Sequence, residues 1–280
     1  MIIVRFQGGL GNQLFQFALY ENYRQRGINV KADVSNYLCG REKRRFELNN
    51  LGINLEVASK TELRAYYADN DILYDRVARH LWGNKKYIKE KDDIFKPDIL
   101  QLQDGYLNGY WQSEKYFSDI EKIIRSRIHF SGINTKEIQS KIERMKGEES
   151  VSIHIRFGDY LYNKNIYGNI CTRDYYSKAI SYIMKNTSNP IFYFFSDEVQ
   201  KIDLPTKLIN YHLVTDNHGK DSYKDMYMMS QCKHHIIANS TFSWWGAWLS
   251  ETEDKIVITP SKWNQLCKAK EICANNWLIM

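Results

Sequence analysis

The run His154-Ile155-Arg156-Phe157-Gly158-Asp159 sets an imidazole and a guanidinium two positions apart, then breaks at a glycine with a carboxylate behind it. On a strand, that spacing puts His154 and Arg156 on one face. A guanidinium at the carboxyl end of a parallel strand can grip two oxygens of a diphosphate with its planar fork. The bland alternative is a structural Arg156–Asp159 ion pair. A second run, Asn239-Ser240-Thr241 ahead of Phe242-Ser243-Trp244-Trp245, reads as a strand end, a capping residue and a helix start. The free N–H groups at such a helix start form an anion site that needs no metal. A third, Gly8-Gly9-Leu10-Gly11-Asn12-Gln13, follows an apolar strand from Ile2 to Phe6. Gly9 and Gly11 match two glycines of a dinucleotide fingerprint, and Asp33 lies near the ribose-binding distance, but Leu14 stands where the third small residue belongs. A phosphate-cradling P-loop would end in Gly-Lys-Ser/Thr, and this turn ends Gly11-Asn12-Gln13. The Asn12 and Gln13 amides could hydrogen-bond a phosphate or a sugar hydroxyl. The glycines could equally serve only a tight turn.

Other signals carry less. Asp69-Asn70-Asp71 fits a D-x-D metal pattern but follows no buried strand. His234 and His235 beside Cys232 look like a metal cluster, yet adjacent strand residues point to opposite faces, which favours structural roles. Arg41 to Arg45 (Arg-Glu-Lys-Arg-Arg) reads as a solvated loop that could also meet anionic lipid head groups. Trp244, Trp245 and Trp248 read as core. Tyr106, Tyr110 and Trp111, with Gln112 next in line, could stack on a sugar ring or simply pack.

The elements that must position these groups alternate. Helical periodicity covers Leu10 to Arg26, and a second strand ends at Asp33. Gly105 to Trp111 is a strand or loop, Ser113 to Arg127 a helix, Ser131-Gly132 a break, and Lys136 to Lys146 a polar helix. From Val151 onward strands and helices alternate cleanly: Val151 to Arg156, Asp174 to Lys185, Ile191 to Phe195, Tyr211 to Val214, Asp221 to Cys232, His234 to Asn239, Phe242 to Leu249 and Lys255 to Thr259. That alternation predicts parallel, doubly wound α/β sheets in two halves with a cleft between them. The 280 residues suffice for two domains, and 43% hydrophobic with 14% aromatic residues marks a globular chain. The net charge of +6 fits an anionic substrate or an acidic membrane surface, while the even interleaving of signs argues against nucleic acid. The chain enters its first strand directly, so no signal peptide is expected, and no apolar run is long enough to span a bilayer. Five cysteines (Cys39, Cys171, Cys232, Cys267, Cys273) with no CxxC pair read as free thiols in a reducing cytosol.

Taken together, GGLGNQLFQ, GYWQSEKYF, HIRFGDY, FYFFSDE and DMYMMSQCKHHIIANSTFSWWGAWL resemble the α-1,2-fucosyltransferases, glycosyltransferase family 11, in order and spacing from residue 2 to about 260. The resemblance implies a GT-B-like α/β fold of two Rossmann-type domains flanking a cleft. The acceptor-side domain would span 1–132 and the GDP-fucose-binding domain 133–261, with a tail of about residues 262–280 able to pack back on the first. It implies inverting, metal-independent transfer of L-fucose from GDP-β-L-fucose to the 2-hydroxyl of a terminal galactose, with no cofactor. The expected product is a surface-glycan precursor, an O-antigen or capsule unit still lipid-linked. The setting would be cytoplasmic, with peripheral contact at the inner membrane.

By the same resemblance, His154 would lie near guanine or ribose and Arg156 on the β-phosphate, while Asp225 would read guanine. Ser240, Thr241 and the backbone would hold phosphate oxygens, Asn239 would belong to the donor site beside them, and Gly9, Gly11, Asn12 and Gln13 would close on the phosphates or acceptor. Asp197 would support the donor with a partly structural role, and Tyr110, Trp111 and Gln112 would face the acceptor. Asp159 or His154 would serve as base, if the step needs one. Phe157 departs from the family's usual second arginine, and Glu198 replaces a common aspartate. The residues alone leave two other readings open: an NAD-dependent oxidoreductase, and a non-catalytic nucleotide- or glycan-binding protein.

Overall fold

The computed structural model describes residues 1–68, 73–81, 84–157, 164–202, 210–215, 217 and 219–280. The chain forms two compact units, Met1–His129 and Phe130–Met280.

The first unit runs β1 (Ile2–Arg5), α1 (Leu10–Gln25), β2 (Val30–Asp33), α2 (Ser35–Leu38), α3 (Lys60–Arg64), α4 (Leu73–Leu81), β3 (Tyr87–Lys89), β4 (Gly105–Asn108) and α5 (Glu121–Arg127). Its sheet order is β2-β1-β4-β3, with every pair parallel. Ile2, Ile3 and Val4 are fully buried, as a strand covered on both faces requires. The helix expected over Ser113 to Arg127 is instead two 3₁₀ turns, Glu114–Tyr116 and Ser118–Ile120, leading into α5. Phe117 causes the break: its φ of −148° is not helical, and its side chain is fully buried between the two turns.

The second unit runs α6 (Lys136–Gly147), β5 (Ser150–Ile155), α7 (Lys164–Tyr167), α8 (Arg173–Asn186), β6 (Ile191–Ser196), β7 (Tyr211–Val214), α9 (Tyr223–Ser230), β8 (His234–Ile236), α10 (Thr241–Leu249), β9 (Val257–Thr259) and β10 (Leu278–Ile279). Its six parallel strands lie in the order β10-β9-β8-β5-β6-β7. Counted within the unit, that is 3-2-1-4-5-6, the dinucleotide-fold order. β6 shows why both faces are covered. Phe192 and Phe194 pack with Ile180 and Ile183 of α8. Tyr193 and Phe195 pack on the other face with Ile138 and Ile142 of α6 and Met228 and Met229 of α9. The tail belongs to this unit: β10 extends its sheet, and Trp277 lies against Trp244, ring centroids 5.3 Å apart. The chain is therefore α/β, two Rossmann-type units with parallel sheets, the domain plan of a GT-B-like protein.

α10 approaches α9 through Gly246, where an added Cβ would lie 3.0 Å from the Met229 Cβ. Gly246→Ala is expected to force the helices apart and destabilise the unit by about 1–3 kcal/mol, as overpacking does. A lower urea midpoint at unchanged slope would register it.

Candidate active site

In an open parallel sheet, ligands sit at the carboxyl edge where the strand order reverses. In the second unit that point lies between β5 and β8. Arg156 follows β5 directly, and Ser240 and Thr241 begin the helix after β8.

Arg156 is held in place. Its guanidinium contacts the Asp197 carboxylate at 3.0 Å. The other oxygen of that carboxylate accepts from the Phe157 N–H, also at 3.0 Å. Asp197, just beyond the neighbouring β6, thus fixes both side chain and backbone at the strand end, and Arg156 stays only partly buried. His154 lies one turn of the pleat deeper, 4% exposed and tilted against Phe242 at 5.7 Å. Burial, reinforced by the Arg156 charge, pushes its pKa down to about 3. It is a neutral imidazole at physiological pH, too weak a base to take a hydroxyl proton efficiently. Its buried Nδ1 has no hydrogen-bond partner among the described residues. Asp159, the other candidate base, lies outside the described residues.

Ser240 occupies the N-cap of α10 without making a side-chain capping bond. Asn239, in contrast, is turned into the protein: its amide donates to Trp263 O at 3.0 Å and Tyr167 O at 3.4 Å, and its oxygen accepts from the Cys171 thiol. That corrects its expected role as a donor-binding residue, because a side chain 3% exposed and bonded to Tyr167, Cys171 and Trp263 serves to tie the chain together there. Asp225, in the first turn of α9, is 7% exposed and accepts from Asn217 Nδ2 at 2.7 Å.

The first unit holds the larger correction. Gln13 is fully buried, and its amide donates to Gly8 O (2.9 Å) and Arg45 O (2.7 Å) and accepts from Glu47 N (2.9 Å). Both N–H groups are spent on the chain, so Gln13 stitches the segment around Arg41–Glu47 over the glycine turn. That segment brings acids with it. Glu42 accepts from the Gly8 N–H at 3.1 Å, and Glu47 hydrogen-bonds the Leu10 N–H. Burial raises the Glu47 pKa. Carboxylates thus occupy the Gly8 and Leu10 amides of the turn, which a dinucleotide pyrophosphate would need. Asp33, the would-be ribose acid of a dinucleotide site, accepts from Tyr106 OH (2.6 Å) and Ser35 N (2.9 Å) at 2% exposure. Gln13→Ala should leave the Glu47 N–H and Arg45 O without this partner, Gly8 O keeping the Tyr37 hydroxyl, at a cost of about 1–3 kcal/mol. Thermal unfolding would show a drop of several degrees.

Asn12 instead faces the β4 side, its oxygen accepting from Gln112 Nε2 at 2.9 Å. Trp111 is 1% exposed and packs edge-on to Tyr116, which removes it as an acceptor platform, whereas Tyr110 is 37% exposed. Trp244, Trp245 and Trp248 are buried together. His234 pairs with Glu149 (2.9 Å) and His235 with Ser152 (2.8 Å), each a local structural bond. Among the described residues, no group of three His, Cys, Asp or Glu could hold a metal ion. The Asp69–Asp71 run lies outside the described residues. No helix among the described residues is long and apolar enough to cross a membrane. Sequence reasoning missed Asn217, Glu42, Glu47 and Glu90. Only their proximity in the fold reveals them, since none stands in a motif of fixed spacing.

Comparison with known proteins shows which family the chain resembles. The sequence model described as Glycosyl transferase family 11 covers residues 59–280. An alpha-1,2-colitosyltransferase of Escherichia coli is 31% identical over 297 residues, covering 99% of this chain and 98% of the relative. The O-antigen biosynthesis glycosyltransferase WbnK of Escherichia coli is also 31% identical, covering 97% of each. Galactoside alpha-(1,2)-fucosyltransferase 1 of Alouatta belzebul is 24% identical over 61% of this chain and 47% of the relative. Among solved structures, NodZ alpha-1,6-fucosyltransferase soaked with GDP-fucose aligns with 89% of this chain and 92% of its own, at 14% identity and a TM-score of 0.45. The chain belongs to glycosyltransferase family 11.

Proposed function

We propose that this glycosyltransferase moves L-fucose from GDP-β-L-fucose to the 2-hydroxyl of a terminal galactose in a surface-glycan precursor, with inversion and without a metal or cofactor. The observation that carries the reading is the Asp197-braced Arg156 at the topological switch point of a 3-2-1-4-5-6 sheet. Cleavage of the anomeric C–O bond leaves extra negative charge on the departing diphosphate. A guanidinium fixed beforehand stabilises that charge without reorganising as it develops. The start of α10, with Ser240 and Thr241, adds oriented N–H dipoles. Asp225 supplies the acceptor that a guanine N1–H and amino group require, and Asn217 fixes its carboxylate. The acceptor oxygen bonds to the anomeric carbon as the bond to GDP breaks, and it gives up its proton late in that dissociative step, to water or to the departing diphosphate. His154, neutral and weakly basic, lies buried against Phe242 beneath the strand end. Work at the cytoplasmic membrane surface on a lipid-linked acceptor is part of the same proposal.

A second reading keeps the linkage and changes the sugar. The 31% identity to an alpha-1,2-colitosyltransferase over nearly the whole chain favours it. Colitose lacks the 3-hydroxyl of fucose, so a site built for it would lack a partner for that group. The dinucleotide reading fails on the Glu42 and Glu47 carboxylates in the glycine turn.

Calorimetric titration with GDP, UDP, ADP and NAD in EDTA, followed by transfer assays with GDP-fucose and GDP-colitose, tests the proposal. Selective GDP binding and turnover of GDP-fucose support it. Preferred turnover of GDP-colitose selects the second reading. Binding of GDP without turnover of either sugar marks a non-catalytic protein, and NAD binding overturns the site.

A further inference from the structure

The first unit has its own topological switch point, between β1 and β4. Two turns leave the sheet there, Phe6–Gly9 after β1 and Gly109–Gln112 after β4, and α1 side chains tie them together, Gln16 accepting from the Gln7 N–H at 3.0 Å. Gln16 Nε2 donates to Gly109 O at 3.1 Å, and Gln112 reaches Asn12. The β4 turn is held from beneath as well. Glu90, the first residue after β3, sends its carboxylate under the turn and accepts from Tyr110 N at 2.6 Å and Trp111 N at 3.1 Å.

The construction is tight. A Cβ at Gly109 would lie 2.5 Å from the Glu90 Cβ and 2.9 Å from Trp111 Cε2. Trp111 is held at φ +56°, a left-handed conformation that a bulky residue adopts only when its surroundings impose it. Burial lifts the Glu90 pKa to about 7, the two N–H bonds oppose the rise, and Asp93 and Asp92 add repulsion rather than a counter-charge. The Tyr116 hydroxyl also senses this carboxylate. A buried acid kept at a sheet's carboxyl edge, where it spans two backbone N–H groups of a turn that exposes Tyr110, is a costly arrangement unless the turn's geometry matters.

We propose that Glu90 is the positioning residue of the acceptor-facing turn: its carboxylate fixes Tyr110 and Gln112 for the incoming sugar without taking part in donor binding. The inference rests on the transferase reading and on the acceptor-side place of residues 110–112. The ionised carboxylate offers both oxygens to the turn. Protonation converts one into a hydroxyl and releases an N–H. The acceptor kcat/KM of the wild type therefore falls as pH drops below about 7, while kcat at saturating acceptor changes little.

Glu90→Gln should behave at every pH like the protonated wild type. Its acceptor kcat/KM should be about tenfold below the wild-type value at pH 8, the difference between a charge-assisted bond and a neutral one, and the acid limb should vanish. Tyr110→Ala should raise the acceptor KM but keep the acid limb, because it removes the exposed ring and leaves the Tyr110 N–H and the Glu90 carboxylate in place. GDP affinity should be the same in all three proteins. An acid limb that survives in Glu90→Gln, or a GDP affinity that falls with the acceptor term, overturns the inference. In amide NMR spectra, Tyr110 and Trp111 should titrate near pH 7 in the wild type and not in Glu90→Gln. Amides that do not titrate also overturn it. If the wild type turns over neither nucleotide sugar, the functional reading fails, and the amide titration still decides whether Glu90 clamps the turn.

Discussion

Arg156→Ala is expected to lower kcat by about a thousandfold with the fold intact, because the departing diphosphate loses its principal cation. The side chain is partly exposed at a strand end, so truncation leaves no hole in the sheet. Asp197 is the partner that gives the guanidinium its aim, and its loss should hurt less. Asp197→Asn keeps an acceptor for the Phe157 N–H and removes the charge opposite Arg156. The arginine remains but is less fixed, and a drop of about tenfold is expected. Steady-state kinetics of the two variants, with circular dichroism melts as a control for folding, separate charge from placement. Equal losses would mean that the pair acts only as a structural tie. Retained activity in Arg156→Ala would remove it from the reaction altogether.

Asp225→Asn should weaken GDP binding by about a hundredfold and leave ADP and UDP nearly unchanged. The substitution preserves an oxygen for Asn217, so local packing survives. Under the proposed guanine contact, what changes is that one carboxylate oxygen becomes an amide donor set against the donors of guanine. Sites that read a base by buried hydrogen bonds discriminate strongly because a mismatch leaves polar groups unpaired. A competition series against GDP measures the ratio, and an unchanged preference for guanine would place base recognition elsewhere.

Much of this organisation is legible in the sequence, for identifiable reasons. β5, β6 and α8 are read correctly because buried parallel strands are continuous apolar runs and their crossover helix carries the 3.6 period. Arg156 is legible because a glycine break marks its strand end. The tryptophans of α10 are legible as core because three large apolar rings on so short a helix have few other uses. The turn at Gly8–Gln13 is misleading for the opposite reason. Its glycines announce a backbone conformation and say nothing about which groups fill it. The fillers, Glu42 and Glu47, come from a charge-rich run whose local character is that of a solvated loop. Asn239 misleads similarly, since an amide after a strand can serve a ligand or its own chain. β3 and β10, three and two residues long, are too short for any periodicity to register.

The strand order of the first unit has a consequence for its synthesis. β1 is an inner strand, and one of its two neighbours, β2, follows within about thirty residues. The other is β4, whose Gly105 pairs with Ile2. At about 5–20 residues per second, a ribosome needs roughly 5–20 s to deliver that partner. For that interval the edge formed by Ile2, Ile3 and Val4 is an open, apolar template for stray pairing. The second unit repeats the pattern, since β5 waits for β8, with Val151 opposite His234. The first unit thus completes its sheet at the centre last, the second fills its centre with β8 before β9 and β10 extend the edge, and the yield of soluble protein should depend on what shields β1 and β5 while the chain is being made.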